Sequence, residues 1–201
     1  MKKMLTIAVL ASLAMLGTAH AAGDAAAGKA KSAACAACHG PDGNSAAPTF
    51  PKLAGQHPDY TAKQLAEFKS GERKDATMNG MAAPLSEQDM ADLAAYYATQ
   101  KASVGKAAED KVELGQTIYR AGNTATGVSA CAACHGPTGS GNAMAKFPGL
   151  SGQHADYTAM QLKNFRAGAR ANDAGSMMRS IAKKMSDAEI EAVAQYIQGL
   201  H

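Results

Sequence analysis

The chain is poor in aromatic residues, since its 201 residues include no tryptophan, four phenylalanines and six tyrosines. Large aromatic side chains supply much of the apolar volume in the cores of small domains. Their scarcity leaves each half of the chain with little to fill a hydrophobic centre. The composition therefore favours a core that is built partly around a bound group.

Neither sign of charge predominates. The chain has 20 basic and 17 acidic side chains, and two of the basic ones, Lys2 and Lys3, lie in a segment that we expect to be removed. Residues 22–104 then have 8 basic and 9 acidic side chains, and residues 105–201 have 10 and 8. Such a near-neutral polypeptide lacks the basic surplus with which proteins contact phosphates, so nucleic acid is excluded as a partner.

Long apolar runs are absent apart from one short stretch. Residues 5–16 are predominantly apolar, follow a charged start and precede Ala19-His20-Ala21, which fits a signal-peptidase site. A membrane-spanning helix needs about 20 apolar residues, so an uncleaved anchor is disfavoured. We predict a signal peptide over residues 1–21, a mature chain from Ala22 and export to the bacterial periplasm.

Cysteine occurs only four times, within two identical pentapeptides. Cys35-Ala36-Ala37-Cys38-His39 recurs as Cys131-Ala132-Ala133-Cys134-His135. Two thiols three positions apart, followed directly by histidine, are typical of c-type haem attachment. One helical turn brings both sulfurs to the vinyl groups on one porphyrin edge, and the histidine then reaches the iron. We predict two covalently bound haem c groups, one for each pentapeptide.

Two other uses of Cys-x-x-Cys fit less well. Zinc sites usually space two such pairs about 15 to 20 residues apart, whereas these lie 96 residues apart. A thioredoxin-like motif needs a βαβ context, but the surrounding sequence is alanine-rich and has no strand-like run of valine and isoleucine. Haem therefore remains the favoured interpretation.

The pentapeptides belong to a longer internal repeat, because residues 50–65 reappear with few changes as residues 147–162. Each copy has about 80 to 95 residues, a size at which an apolar core alone is marginal. We predict an N-terminal domain over residues 22–104 and a C-terminal domain over residues 105–201. The polar residues 100–111 are the expected linker.

Each copy is predicted to contain three main helices and no convincing strand, so the fold class is all-α. The first leads into the haem motif, over residues 24–37 and residues 111–121. The third opens with a capping box at Ser86 or Ser186 and continues with apolar residues at i, i+3, i+4 and i+7.

The second helix follows the repeated Gly-Gln-His. We expect Asp59 or Asp156 to cap its first free N–H groups. Gly71 or Gly168 can adopt the left-handed conformation that ends a helix.

The sixth iron ligand decides function, because it sets the potential and whether anything else can bind. The serines that open the third helices are offset by 100 residues, and at that offset Met78 pairs with Met178. We predict these two methionines as distal ligands. Because the second copy has three extra residues before Met178, Met81 is an alternative to Met78, and Met177 is a rival of Met178.

Other polar residues also recur. His57 and His154 are further candidate ligands, but we expect them to be solvated loop residues. Two cationic pairs could donate hydrogen bonds to haem propionates: Lys69 with Arg166, and Arg73 with Arg170. Long cationic side chains near helix ends are more often simply solvated.

These features together resemble the dihaem cytochrome c4 family over essentially the whole mature chain. The likeness rests on two Cys-x-x-Cys-His domains, Gly-Asn-Ser at residues 43–45, the repeated Phe-Pro-x-Leu-x-Gly-Gln and the ending at residues 196–201. It implies two tandem class I cytochrome c domains related by a pseudo-twofold axis, with the haems facing each other across the interface. It also implies four iron ligands: His39, Met78, His135 and Met178.

The resemblance further implies periplasmic electron transfer in respiration. The expected donor is a quinol-oxidising complex, the expected acceptor is a terminal haem-copper cytochrome c oxidase, and loose attachment to the membrane is part of the family's behaviour. Two six-coordinate haems leave no substrate site, so we expect an electron carrier and not an enzyme. The alternatives are an electron-accepting subunit of a dehydrogenase and, less favoured, a dihaem peroxidase, which needs an open distal position.

Overall fold

A computed structural model describes residues 23–201 of the chain. The predicted signal peptide and mature start lie outside these residues. Within them the chain is helical, and β structure is limited to two isolated bridges in the second copy. This confirms the predicted all-α class. In the described part of the chain, no helix is long and apolar enough to cross a membrane.

The first copy of the repeat forms five described helices. They are α1 (Ala25–Lys31), α2 (Ala36–His39), α3 (Pro58–Ser70), α4 (Ala76–Ala82) and α5 (Glu87–Ala98). The single helix expected over residues 24–37 is divided by a 3₁₀ turn at Ser32–Ala34. This turn separates α1, which packs on α5, from α2, which carries the haem motif.

The second copy repeats this order. Its helices are α6 (Glu109–Ala121), α7 (Ala132–His135), α8 (Ala155–Ala167), α9 (Met177–Ala182) and α10 (Asp187–Gly199). The expected linker over residues 100–111 is shorter than predicted, because α6 already begins at Glu109. Acidic residues in that first turn favour an early start, since they stabilise the positive end of the helix dipole.

Two of the predicted helix-end signals are confirmed. Ser86 and Ser186 each form a capping box, in which the serine side chain accepts from a backbone N–H three residues on. Gly71 and Gly168 end α3 and α8 in the left-handed conformation. These local patterns therefore fix where the second and third helices of each copy lie.

The predicted caps at Asp59 and Asp156 are wrong. Both residues lie in the first turn of their helices, and α3 begins one residue earlier than Asp59, at Pro58. The fixed φ of Pro58 suits the first helical position of α3, and α8 begins at the equivalent residue, Ala155, without a proline. The aspartates still favour the helices, because they lie at the positive end of the helix dipole.

The first and last helices of each copy cross closely at a glycine. Helix α1 packs on α5, and α6 packs on α10. A Cβ atom at Gly28 would lie 2.0 Å from the carbonyl oxygen of Asp92, and one at Gly115 would lie 2.3 Å from that of Ala192. No side chain fits either crossing, so glycine sets how near the helices approach. This contact joins the haem-motif end of each copy to its last helix.

Candidate haem sites

The histidines of the two pentapeptides lie at the ends of α2 and α7, in equivalent surroundings. His39 and His135 are 7% and 8% exposed. The Nδ1 of His39 donates to the carbonyl of Pro51 at 2.9 Å, and that of His135 donates to Pro148 at 3.0 Å. An Nδ1–H that donates to a backbone carbonyl fixes the tautomer of the ring. Nε2 is then the nitrogen that can bind a metal.

The electrostatic surroundings favour neutral imidazoles at both positions. Burial lowers the pKa of His39, and the hydrogen bond to Pro51 opposes this only in part. Burial lowers the pKa of His135 in the same way, against the bond to Pro148. A histidine must be neutral to bind a metal, so both rings are prepared as ligands.

No disulfide joins the four cysteines, so all four sulfurs are available for thioether bonds. Cys134 is exposed, and the other three are half-buried. Burial raises the pKa of Cys131 to about 11 and also raises that of Cys35. This raised pKa is unlike that of a redox-active thiol, whose pKa is lowered.

The candidate distal ligands lie on the short helices that follow α3 and α8. Met78 lies on α4 and Met178 on α9, and both are half-buried. Their rivals Met81 and Met177 are 41% and 42% exposed. The side chain of Asp75 caps α4 by accepting from the backbone N–H of Met78 at 2.9 Å. Burial thus favours the pair chosen by the repeat register, which stays a prediction.

The residues present fit a covalently held haem. Each copy offers two thiols one helical turn apart, a neutral imidazole and a less exposed thioether, which is the donor set of a His/Met cytochrome c. The equivalent hydroxyls of Thr61 and Thr158 are also buried without a hydrogen-bond partner among the described residues.

The Gly-Gln-His segments lie at the contact between the two copies. Nε2 of His57 donates to the carbonyl of Ser140 at 2.8 Å, and Nε2 of His154 donates to that of Ser45 at 2.9 Å. The expectation of solvated loop histidines is therefore wrong. The reason is that each copy packs this segment against the loop after the other copy's haem motif.

The glutamines of the same segments form reciprocal pairs of hydrogen bonds. Gln153 accepts from the N–H of Lys52 and donates to the carbonyl of Lys52, both at 2.9 Å. Gln56 accepts from the N–H of Gly149 at 2.9 Å and donates to its carbonyl at 3.0 Å. This reciprocity fits an approximate twofold relation between the copies.

The cationic pair Arg73 and Arg170 is buried between the copies, with exposures of 7% and 8%. Arg73 donates to Tyr157 at 2.9 Å and Arg170 to Tyr60 at 3.0 Å, each across the interface. The expectation that such residues are solvated is wrong here, because the docked second copy covers them. Hydrogen bonds from these arginines to haem propionates, the less favoured alternative at the level of sequence, are not tested by these contacts.

The other cationic pair behaves differently. Lys69 is exposed and donates to the carbonyl of Leu85, and Arg166 donates to the carbonyl of Met185 at 3.0 Å. These carbonyls directly precede the serines that cap α5 and α10. The pair therefore ties the second helix of each copy to the start of the third.

Sequence reasoning missed several residues that join the copies. Gln64 accepts from Arg73 at 2.7 Å and from Arg170 at 3.1 Å, and Asn172 donates to the buried Glu67 at 2.6 Å. The repeated Gly-Gln-His was the one sequence signal of this interface between the copies, because its polar residues recur without a role in helix formation.

Known proteins match both copies of the repeat. A family model described as cytochrome c matches twice, over residues 25–101 and residues 112–201. A cytochrome c4 from Azotobacter vinelandii is 54% identical over 97% of this chain and 98% of the relative. A thiosulfate dehydrogenase electron acceptor from Stutzerimonas stutzeri is 42% identical over 81% of this chain and 77% of the relative.

A solved structure is similar to the whole described fold. The reduced recombinant cytochrome c4 from Pseudomonas stutzeri is 51% identical, covers 90% of this chain and 100% of its own, and superposes with a TM-score of 0.87. The similarity therefore extends to the arrangement of the two copies and not only to each copy alone.

Proposed function

Because the chain belongs to the cytochrome c4 family, with two tandem cytochrome c domains and two covalently bound haem c groups, we propose that it relays electrons from a quinol-oxidising complex to a terminal haem-copper oxidase. Like its relatives it is an electron carrier and not an enzyme. We place it in the periplasm, with at most peripheral attachment to the membrane. The observation that carries this function is the equivalent donor set of the two copies, which would hold each haem through two cysteines and supply its iron with a histidine and a methionine.

We assign the axial ligands as His39 with Met78, and His135 with Met178. Thioethers of Cys35 and Cys38 hold one haem, and those of Cys131 and Cys134 hold the other. When bound, each haem iron supplies a one-electron couple between its ferric and ferrous states. The histidines keep their Nδ1 protons on backbone carbonyls, which fixes the rings, and the methionines favour the ferrous state more than a second histidine would.

The experiment that tests the relay follows reoxidation of the reduced protein. Membranes that contain a haem-copper oxidase should reoxidise it rapidly, and an inhibitor of that oxidase should block the reaction. Hydrogen peroxide alone should reoxidise it slowly, because no distal position is open. Membranes from a strain lacking the oxidase serve as the control. Rapid saturable turnover with peroxide and indifference to the oxidase would instead indicate a peroxidase.

Ionic strength gives a second readout of the same encounter. The C-terminal domain carries a small surplus of positive charge and the N-terminal domain a small surplus of negative charge. Charged surfaces steer transient encounters, and salt screens this attraction. The reoxidation rate should therefore change with added salt, whereas a rate independent of salt would argue against steered docking.

A second candidate is an electron acceptor that serves a dehydrogenase. The observation that favours it is the relative named as a thiosulfate dehydrogenase electron acceptor, which is 42% identical to this chain. Mixing the oxidised protein with such a dehydrogenase and thiosulfate distinguishes the two. Reduction faster than by the quinol-oxidising complex would favour this candidate, and no reduction would exclude it.

A further inference from the structure

The two peptide groups that hold the proximal histidines have an unusual second partner. The carbonyl of Pro51 accepts from His39, and the N–H of the same peptide group, on Lys52, donates to Gln153 at 2.9 Å. Gln153 belongs to the opposite domain. One planar peptide unit therefore joins the iron ligand of the first domain to a side chain of the second.

The second domain has the equivalent arrangement. The carbonyl of Pro148 accepts from His135, and the N–H of Gly149 in the same peptide group donates to Gln56 at 2.9 Å. Gln56 belongs to the first domain. The same two-step chain of hydrogen bonds therefore crosses the interface in both directions.

Both glutamine side chains are fixed in place. Gln153 also donates to the carbonyl of Lys52 at 2.9 Å and accepts from the backbone N–H of His154 at 3.0 Å. Gln56 likewise donates to the carbonyl of Gly149 and accepts from the N–H of His57, each at 3.0 Å. Each amide oxygen thus has one orientation, aimed at the peptide N–H of the other domain.

We propose that Gln153 and Gln56 are positioning residues that tune the potential of the haem in the opposite domain, by polarising the peptide group that holds its proximal histidine. This inference rests on the proposed ligation by His39 and His135. It assigns a role to the repeated Gly-Gln-His that goes beyond joining the domains. Each domain thereby adjusts its neighbour's iron without contacting it.

The direction of the effect follows from how hydrogen bonds polarise one another. Donation by the Lys52 N–H increases the negative charge on the carbonyl oxygen of the same peptide group. That oxygen then holds the Nδ1 proton of His39 more strongly, which makes the ring a better electron donor to the metal. A better donor favours the ferric state. Removing the Gln153 acceptor should therefore favour the ferrous state of the haem held by His39.

The test compares Gln153→Ala with His154→Ala. Both remove interdomain hydrogen bonds of one segment, but the side chain of His154 bonds to Ser45 and has no hydrogen bond to either peptide group. Redox titrations followed by NMR, which resolves the two haems, give each oxidised-to-reduced ratio. In Gln153→Ala we expect that ratio for the haem held by His39 to fall at least threefold at a fixed potential, which is about 28 mV.

The crossed pattern is the signature of the proposed role. In Gln153→Ala the haem of its own domain should keep its ratio within a factor of 1.5, roughly 10 mV on the same scale. Gln56→Ala should do the reverse and shift only the haem held by His135. In the reduced protein, the Nδ1 proton of the affected histidine should move upfield, because its hydrogen bond is weaker. His154→Ala should change neither quantity.

Three results would overturn the inference. They are unchanged potentials in both alanine variants, equal shifts of both haems, or the same shift in His154→Ala. If Gln153→Ala yields no folded holoprotein, Gln153→Glu carries the test, because it keeps an acceptor and adds charge and should shift the ratio the opposite way. If the wild type lacks two low-spin haems with axial histidine, the proposed function fails instead, so the two failures are distinguishable.

Discussion

Replacing Gly28 with alanine should destabilise the first domain while leaving the second nearly unchanged. The glycine is buried where α1 crosses α5. An added Cβ would lie 2.0 Å from the carbonyl oxygen of Asp92 and 2.8 Å from the Cβ of Tyr96. Both are too short for carbon contacts. Since the nearest atom belongs to the backbone and cannot rotate away, the two helices must separate.

The size of this effect is the balance of two terms. Forcing an extra carbon into a packed site costs about 1–3 kcal/mol, and the rigid carbonyl places this contact at the upper end. Alanine is a better helix former than glycine by about 1 kcal/mol, which offsets part of the cost. The net loss is about 2 kcal/mol. For a domain of this size such a loss lowers the Tm by roughly 8 to 16 °C.

Hydrogen exchange read by mass spectrometry gives the opening free energy of each domain separately. Gly80→Ala is the matched control, because Gly80 lies within α4 and an added Cβ there meets no protein atom within 4 Å. That variant should be as stable as the wild type or slightly more so. Gly115→Ala should weaken the second domain only. The packing argument fails if Gly28→Ala exchanges no faster than Gly80→Ala.

Three further predictions concern the domains, the pH dependence and the haems. Division of the chain near Val104 should give two separately folding monohaem proteins, and failure of both halves to incorporate haem would contradict the two-domain account. The hydrogen bond from Lys31 is the main cause that lowers the pKa of Asp92 to about 2. Since an unfolded aspartate titrates near about 3.9, this stabilisation is complete above that pH and is lost as the pH falls towards 2. Denaturant titrations should therefore find Asp92→Asn less stable than the wild type at pH 7, with the difference shrinking below about pH 3.9 and lost as the pH falls through about 2. A persistent difference would refute the assignment. Mass spectrometry of the acid-denatured protein should show the chain from Ala22 with two haems still attached, whereas haem release would contradict thioether attachment.

Local signals in the sequence predicted the helix framework well. A capping box needs only a serine and an acidic side chain three residues apart, so Ser86 and Ser186 could be predicted as the caps of α5 and α10 without knowledge of the fold. Glycine as a helix terminator is equally local, as at Gly71. The pentapeptides are local too, because one helical turn contains every group that attaches the haem.

Features that depend on docking of the two copies could not be predicted in this way. The sequence around His57 and Arg73 contains no pattern that distinguishes an interface residue from a solvated one. Their partners lie 83 and 84 residues away in the chain. The choice of Met78 over Met81 depended on the register of the repeat, which a three-residue difference between the copies makes ambiguous.

The far-red absorption of the oxidised protein tests the central claim most directly. A ferric iron bound by a methionine sulfur gives a weak band there, and the account predicts the intensity of two such irons per chain. Met78→His and Met178→His should each remove half of the band, while Met81→His and Met177→His should leave it whole. A wild-type band with the intensity of one iron or of none would contradict the account. A loss of band intensity caused by Met81→His would contradict it as well.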